Sequence, residues 1–97
     1  MPGWMLQSVG ETPITFRLPT GSVKTVGRTA RADFILDAAL VSRIHCRLTA
    51  DKSDQLVVED LGSTNGTKVN GQIVTRQVLK PGDVLTIGRV EFQVGET

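Results

Sequence analysis

The sequence predicts an all-β domain, a sandwich or barrel of short strands, and two observations carry that prediction. Short runs rich in Val, Ile, Leu and Thr recur along the whole chain, separated by Gly, Pro, Asn and Asp. No stretch of about a dozen residues holds a helical pattern: 28–32 and 37–41 can each carry at most one turn.

Strands are expected near Trp4–Ser8, Thr15–Leu18, Val23–Val26, Phe34–Leu36, His45–Ala50, Leu56–Asp60, Thr67–Val69, Gln72–Ile73, Gln77–Leu79, Val84–Ile87 and Glu91–Val94. The first alternates apolar and polar residues only in part. The second and third flank Pro19-Thr20-Gly21, where a φ-locked Pro precedes a permissive Gly. Asn65-Gly66 and Asn70-Gly71 are tight-turn signals, because Asn and Gly tolerate positive φ; the second predicts a small hairpin between Thr67–Val69 and Gln72–Ile73. Pro81-Gly82-Asp83 turns the chain into Val84–Ile87, which reads as buried on both sides, and Gly95-Glu96-Thr97 reads as a frayed end.

The chain of 97 residues reads as one domain over 1–97, with no internal repeat or low-complexity segment. Its Met just before the first strand suggests the N-terminal module of a longer protein. An apolar fraction of 39% suffices for a small core without staples. The lone cysteine, Cys46, excludes an internal disulfide framework and fits a reducing, intracellular setting. No apolar run approaches the roughly 20 residues of a membrane span, and 1–9 lack the basic residues of a signal peptide. The formal charge of +1 argues against broad binding to nucleic acid or anionic membrane, so any anion must be caught by a local cluster. Four aromatic residues, Trp4, Phe16, Phe34 and Phe92, are too few for a base-stacking platform.

Three polar, Gly-linked stretches lie between strands: Val26-Gly27-Arg28, Val41-Ser42-Arg43-Ile44-His45 and Leu61-Gly62-Ser63-Thr64-Asn65-Gly66-Thr67. They supply two guanidinium groups, several hydroxyls, an amide and backbone N–H groups. That inventory suits an oxyanion: Arg offers phosphate a planar donor fork, and hydroxyls complete the shell.

The order and spacing of these stretches resemble the forkhead-associated (FHA) domain family across nearly the whole chain. The carrying motifs are Gly27-Arg28, Ser42-Arg43-Ile44-His45, Ser63-Thr64-Asn65-Gly66-Thr67, Asn70-Gly71 and Pro81-Gly82-Asp83. The resemblance implies a sandwich of about eleven strands in two twisted sheets, with binding loops at one end and both termini at the other. It implies a module that binds phosphothreonine-containing proteins or peptides, needs no cofactor or metal, and is a monomer as an isolated domain. It assigns Arg28, Ser42, Arg43 and Thr64 to the phosphate, Thr64 through its hydroxyl or its N–H, and Asn65 to the peptide main chain. Gly27, His45, Gly66, Asn70 and Gly71 become loop architecture, and Arg31 and Arg89 become candidates for selecting acidic residues beside the phosphothreonine. A pocket for the threonine γ-methyl, worth about 0.8 kcal/mol by burial, would favour phosphothreonine over phosphoserine only severalfold. The family also occurs in DNA-damage and cell-cycle signalling, which implies the nucleus in a eukaryote and the cytoplasm in a bacterium.

Plainer readings compete residue by residue. Arg28 alone reads as a solvated turn residue, and Arg43 as half of a surface ion pair with an Asp. Ser42 and Thr64 are turn-capping types, and a Ser42 hydroxyl donated locally is lost to a ligand. Asn65-Gly66 alone reads as a hairpin. His45 beside Cys46 invites a nucleophile–base pair, but neighbours on a strand face opposite ways, so Cys46 reads as core, as does Trp4. The rival functions are a phosphate-independent interaction or dimerisation domain on the same fold, an enzyme, for which no acid–base pair or cofactor fingerprint speaks, and nucleic-acid binding.

Overall fold

Alternation decides which side is buried in several of the strands, and the computed structural model describes residues 3–97. It has eleven strands: β1 (Gly3–Ser8), β2 (Thr15–Pro19), β3 (Val23–Gly27), β4 (Phe34–Ile35), β5 (Cys46–Ala50), β6 (Leu56–Asp60), β7 (Thr67–Val69), β8 (Gln72–Val74), β9 (Arg76–Leu79), β10 (Val84–Ile87) and β11 (Val90–Glu96). Along β2, Phe16 and Leu18 turn inward while Thr15, Arg17 and Pro19 face water. In β5, Cys46, Leu48 and Ala50 are buried and Arg47 and Thr49 are not. The strands form a six-stranded sheet ordered β2-β1-β11-β10-β7-β8 and a five-stranded sheet ordered β4-β3-β5-β6-β9. All pairings are antiparallel except β3 with β4. Among the described residues there is no helix, and so none long and apolar enough to cross a membrane.

The inner faces enclose one core that includes Leu6, Leu18, Val26, Leu48, Val58, Leu85, Ile87 and Phe92, with Trp4 and Cys46 buried among them. Phe16 of the six-stranded sheet stacks on Phe34 of the five-stranded sheet, ring centroids 4.5 Å apart, and on Phe92 at 5.1 Å. Such ring pairs add about 0.5–1.5 kcal/mol beyond their area, and the Phe16–Phe34 pair ties the two sheets at the β2–β4 side.

All eleven predicted strands are present, with three local differences. Val84 and Thr86 lie on the outer face of β10 and are only half-buried, since no second layer covers that face; only Leu85 and Ile87 enter the core. Residues 95 and 96 are not frayed: Gly95 pairs with Met5 and Glu96 with Trp4, and the Thr97 N–H donates to the Gly3 carbonyl at 3.0 Å, which brings the described ends of the chain together. Asn65-Gly66 is not a hairpin turn either, because β6 and β7 belong to different sheets and residues 61–66 cross between them. Asn70-Gly71 is one, linking paired β7 and β8 with φ of 51° and 84°, as a type I′ turn requires.

Candidate functional site

Backbone contacts set the site before any side chain acts. Where β3 ends, the Arg28 N–H donates to the Ser42 carbonyl at 2.9 Å, and the His45 N–H donates to the Val26 carbonyl at 2.8 Å. The 42–45 segment is thereby drawn so close that a Cβ on Gly27 would press on the Arg43 carbonyl oxygen and lie 2.9 Å from Ile44 Cα. Gly27 is the residue that permits this approach. The β10–β11 turn packs on the other flank, where a Cβ on Gly88 would lie 2.9 Å from the Ala39 carbonyl oxygen.

Arg28 is exposed, and its Nε donates to the Val41 carbonyl at 3.0 Å. That bond fixes the guanidinium plane and leaves its outer fork open. The Ser42 hydroxyl oxygen accepts the Thr64 N–H at 3.0 Å. Ser42 therefore acts locally as an acceptor and keeps its proton for a ligand, which removes the conflict that capping would have created. The same bond occupies the Thr64 N–H, so Thr64 offers a ligand its hydroxyl. Asn65 donates Nδ2 to the Leu40 carbonyl at 3.2 Å, leaving its carbonyl oxygen and second amide hydrogen free. Leu40 itself sits at φ 68°.

Behind these groups runs a closed hydrogen-bond circuit. Buried His45 accepts the Ser42 N–H at Nδ1, 3.1 Å, so Nε2 carries the proton and donates to the Gly66 carbonyl at 2.9 Å. The Gly66 N–H donates to Ser63 Oγ at 2.9 Å, and Ser63 donates to Asp60 Oδ1 at 2.5 Å. Asp60 Oδ1 also accepts the hydroxyl of fully buried Thr67 at 2.7 Å, while Oδ2 accepts the Gly62 and Ser63 N–H groups, each at 3.0 Å. Partial burial pushes the Asp60 carboxyl up, but the bonds from Ser63, Thr67 and Gly62 outweigh it and hold the carboxyl below the usual carboxylate range. Ser42 bonded to Thr64 closes the circuit, so the 42–45 and 61–66 segments position each other.

The open groove on this end has a volume of about 870 Å³. Arg28, Ser42, Arg43, Thr64 and Asn65 line it, as does Arg31. Gly27, His45 and Gly66 stand behind it. Asn70 and Gly71 lie at the far end of β10, where Asn70 Oδ1 accepts the Val84 N–H at 2.9 Å and Nδ2 donates to Asp83 at 3.0 Å. Arg89 is exposed on the β10–β11 turn and is not part of the groove lining. Arg43 forms no ion pair; among the described residues the one pair is Arg47–Glu59 at 3.1 Å. Cys46 is buried, and burial, with the nearby Asp60 charge, pushes its thiol up to about 12, so it is no nucleophile.

Sequence reasoning missed Asp60, Thr29 and the carbonyls of Leu40 and Val41. Asp60 had a local signal, an Asp at a strand end followed by Gly and Ser, the pattern of an Asx turn. Thr29, whose hydroxyl donates to the Arg43 carbonyl at 3.3 Å, had none, and backbone carbonyls leave no trace in residue types.

Residues 24–88 match the family model for the FHA domain. The chain is 42% identical over 65 residues to the oxoglutarate dehydrogenase inhibitor of Corynebacterium efficiens, covering 67% of this chain and 45% of that protein. It thus spans less than half the length of that relative. The FHA domain of the CT664 protein from Chlamydia trachomatis superposes with a TM-score of 0.89 at 26% identity, covering 96% of both chains. A structure from a study of phosphothreonine-dependent FHA domain interactions superposes with a TM-score of 0.87 at 34% identity, covering 96% of this chain and 95% of that one.

Proposed function

The chain belongs to the FHA domain family, and from that premise we propose that it is a phosphothreonine-dependent protein-interaction module that catalyses nothing. One observation carries the reading: the groups facing the groove are held by bonds that leave their ligand-facing donors open. Arg28 is tethered through Nε and presents its fork to the phosphate. Ser42 accepts from Thr64 and has its hydroxyl proton to donate. Thr64 adds a hydroxyl, Arg43 adds positive charge, and Asn65 grips the main chain of an extended peptide. Little reordering is needed on binding, so the polar contacts are not offset by loop ordering. The ligand is a phosphorylated protein segment. A structural relative from a study of phosphothreonine-dependent FHA domain interactions supports this assignment.

The test is a titration with a degenerate peptide pool bearing a fixed phosphothreonine, beside the same pool with phosphoserine and with plain threonine. Binding should be strongest for phosphothreonine and absent for threonine. Arg28→Ala should weaken it by ~30-fold or more, the loss expected when one partner of a hydrogen-bonded charge pair is removed. Affinity should fall with salt, and below about pH 6 as the phosphate loses its second charge. Equal binding of phosphorylated and unphosphorylated pools by the folded domain would transfer the function to a sheet face and a phosphate-independent partner.

A further inference from the structure

The groove carries more positive charge than one phosphothreonine neutralises. Three arginines line it, Arg28, Arg31 and Arg43, and no Asp or Glu does. None of the three forms an ion pair. The acid closest in sequence to Arg31 is Asp33, whose carboxylate turns back to β3 and accepts the Thr25 N–H at 2.9 Å and the Thr25 hydroxyl at 3.2 Å. A phosphothreonine brings a charge of about −1.5 to −2 at neutral pH, leaving roughly one positive charge without a counterpart.

The loop that carries Arg31 is anchored on both sides. The Arg28 N–H bonds to the Ser42 carbonyl, the Ala32 N–H bonds to the Thr29 carbonyl at 3.0 Å, and Asp33 is fastened to Thr25. Thr29, next to Arg28, donates to the Arg43 carbonyl and so ties the loop to the phosphate-facing segment. Arg31 is thus an exposed cation on a fixed turn, with no bond of its own that fixes the guanidinium.

We propose that Arg31 forms a second anion subsite, so that the preferred ligand carries another anionic group, a carboxylate or a second phosphate, close to the phosphothreonine. Three Cα–Cα steps of 3.8 Å keep Arg31 within about 11 Å of Arg28, the span of roughly three residues of extended peptide. Both arginines also line the same groove, so the second anion sits on the peptide segment that carries the phosphothreonine, a few residues from it. The inference rests on the phosphothreonine reading of the groove. It assigns acid selection to Arg31 and not to Arg89, whose turn lies outside the lining.

Fluorescence anisotropy with defined peptides tests it. One phosphothreonine peptide has neutral flanks, a set places Glu at each position up to three residues on either side, and another places phosphoserine there. Wild-type protein should favour the best Glu peptide about 2- to 5-fold over the neutral one, the range of an exposed ion pair, and the doubly phosphorylated peptide by more. Arg31→Gln should erase these differences while still binding the neutral peptide, and Arg89→Gln should keep them. The gain should shrink as salt rises. Wild-type binding of the neutral peptide with no gain from any acid overturns the subsite alone, as does a gain that survives Arg31→Gln. Failure of every phosphopeptide to bind overturns the phosphothreonine reading and the subsite together.

Discussion

Asp60 never touches the groove, yet its removal should be felt there. In Asp60→Ala four donors lose their acceptor: the Ser63 and Thr67 hydroxyls and the Gly62 and Ser63 N–H groups. Thr67 is fully buried, so its hydroxyl is stranded without water, at a cost of about 1–3 kcal/mol. The other three lie near the surface, where water replaces the carboxylate at a cost of a few tenths of a kcal/mol to about 1 kcal/mol each. The total is about 3 kcal/mol. For a domain of 97 residues that lowers Tm by roughly 12–24 °C. Asp60→Asn should be far milder. Its amide oxygen can keep the two immobile N–H donors, and its NH2 then faces two hydroxyls that can rotate to accept. About 1 kcal/mol, or roughly 4–8 °C, is expected. Thermal melts of the three proteins by circular dichroism at pH 7 decide the matter. An Ala variant melting within about 5 °C of wild type would refute the circuit as a stabilising unit. An Asn variant as unstable as Ala would refute the hydroxyl reorientation.

Acid should unmask the same residue: the folded-state pKa of Asp60 lies below its unfolded value of about 3.9, so its contribution is present above that pH and disappears as pH falls through the folded value. The gap between the melts of wild type and Asp60→Ala should therefore begin to close as pH falls below about 4. Gly27→Ala forces a methyl against the Arg43 carbonyl, which only a backbone shift relieves; a loss of about 1–3 kcal/mol in a urea melt, with weakened phosphopeptide binding, is expected. Cys46, with its thiol pushed up to about 12 and no exposed surface, should resist a thiol reagent at pH 8 in native protein and react fully in urea, read by mass spectrometry.

Much of the sandwich is legible in the sequence because its causes are local. β2 and β5 alternate, Asn70-Gly71 meets the φ demands of its turn, and the Gly82 turn has a Pro where one belongs. Where a second element decides, local reading fails. Asn65-Gly66 carries hairpin chemistry, but the strands it joins lie in different sheets, and no residue in the turn reports that. Residues 95 and 96 looked free because their partner, β1, lies at the other end of the chain. The outer face of Val84 and Thr86 is half-open because no layer packs on it, and apolar residues on a short strand cannot signal that. The groove residues were visible as types in an order. Their roles were not, since whether Ser42 donates or accepts is settled by Thr64, 22 positions away.

That last contact explains how short loops on a small domain can hold a dianion. Each loop is too short to fix itself, so the segments fix one another: His45 joins Ser42 to Gly66, Ser42 holds Thr64, Asn65 holds Leu40, and Val41 holds Arg28. In each bond to a groove residue the inward-facing atom is committed and an outward donor is left. The groove therefore presents a list of hydrogens without acceptors: the Arg28 fork, the Arg43 guanidinium, two hydroxyl protons and one amide hydrogen, beside a free carbonyl on Asn65. A group with three strong acceptor oxygens on a chain that also offers a backbone N–H and C=O fills that list, and a bare carboxylate leaves part of it unmet. On the proposed reading, selectivity for phosphate over carboxylate in the primary site comes from the number of open donors, and the surplus charge at Arg31 reads what flanks it.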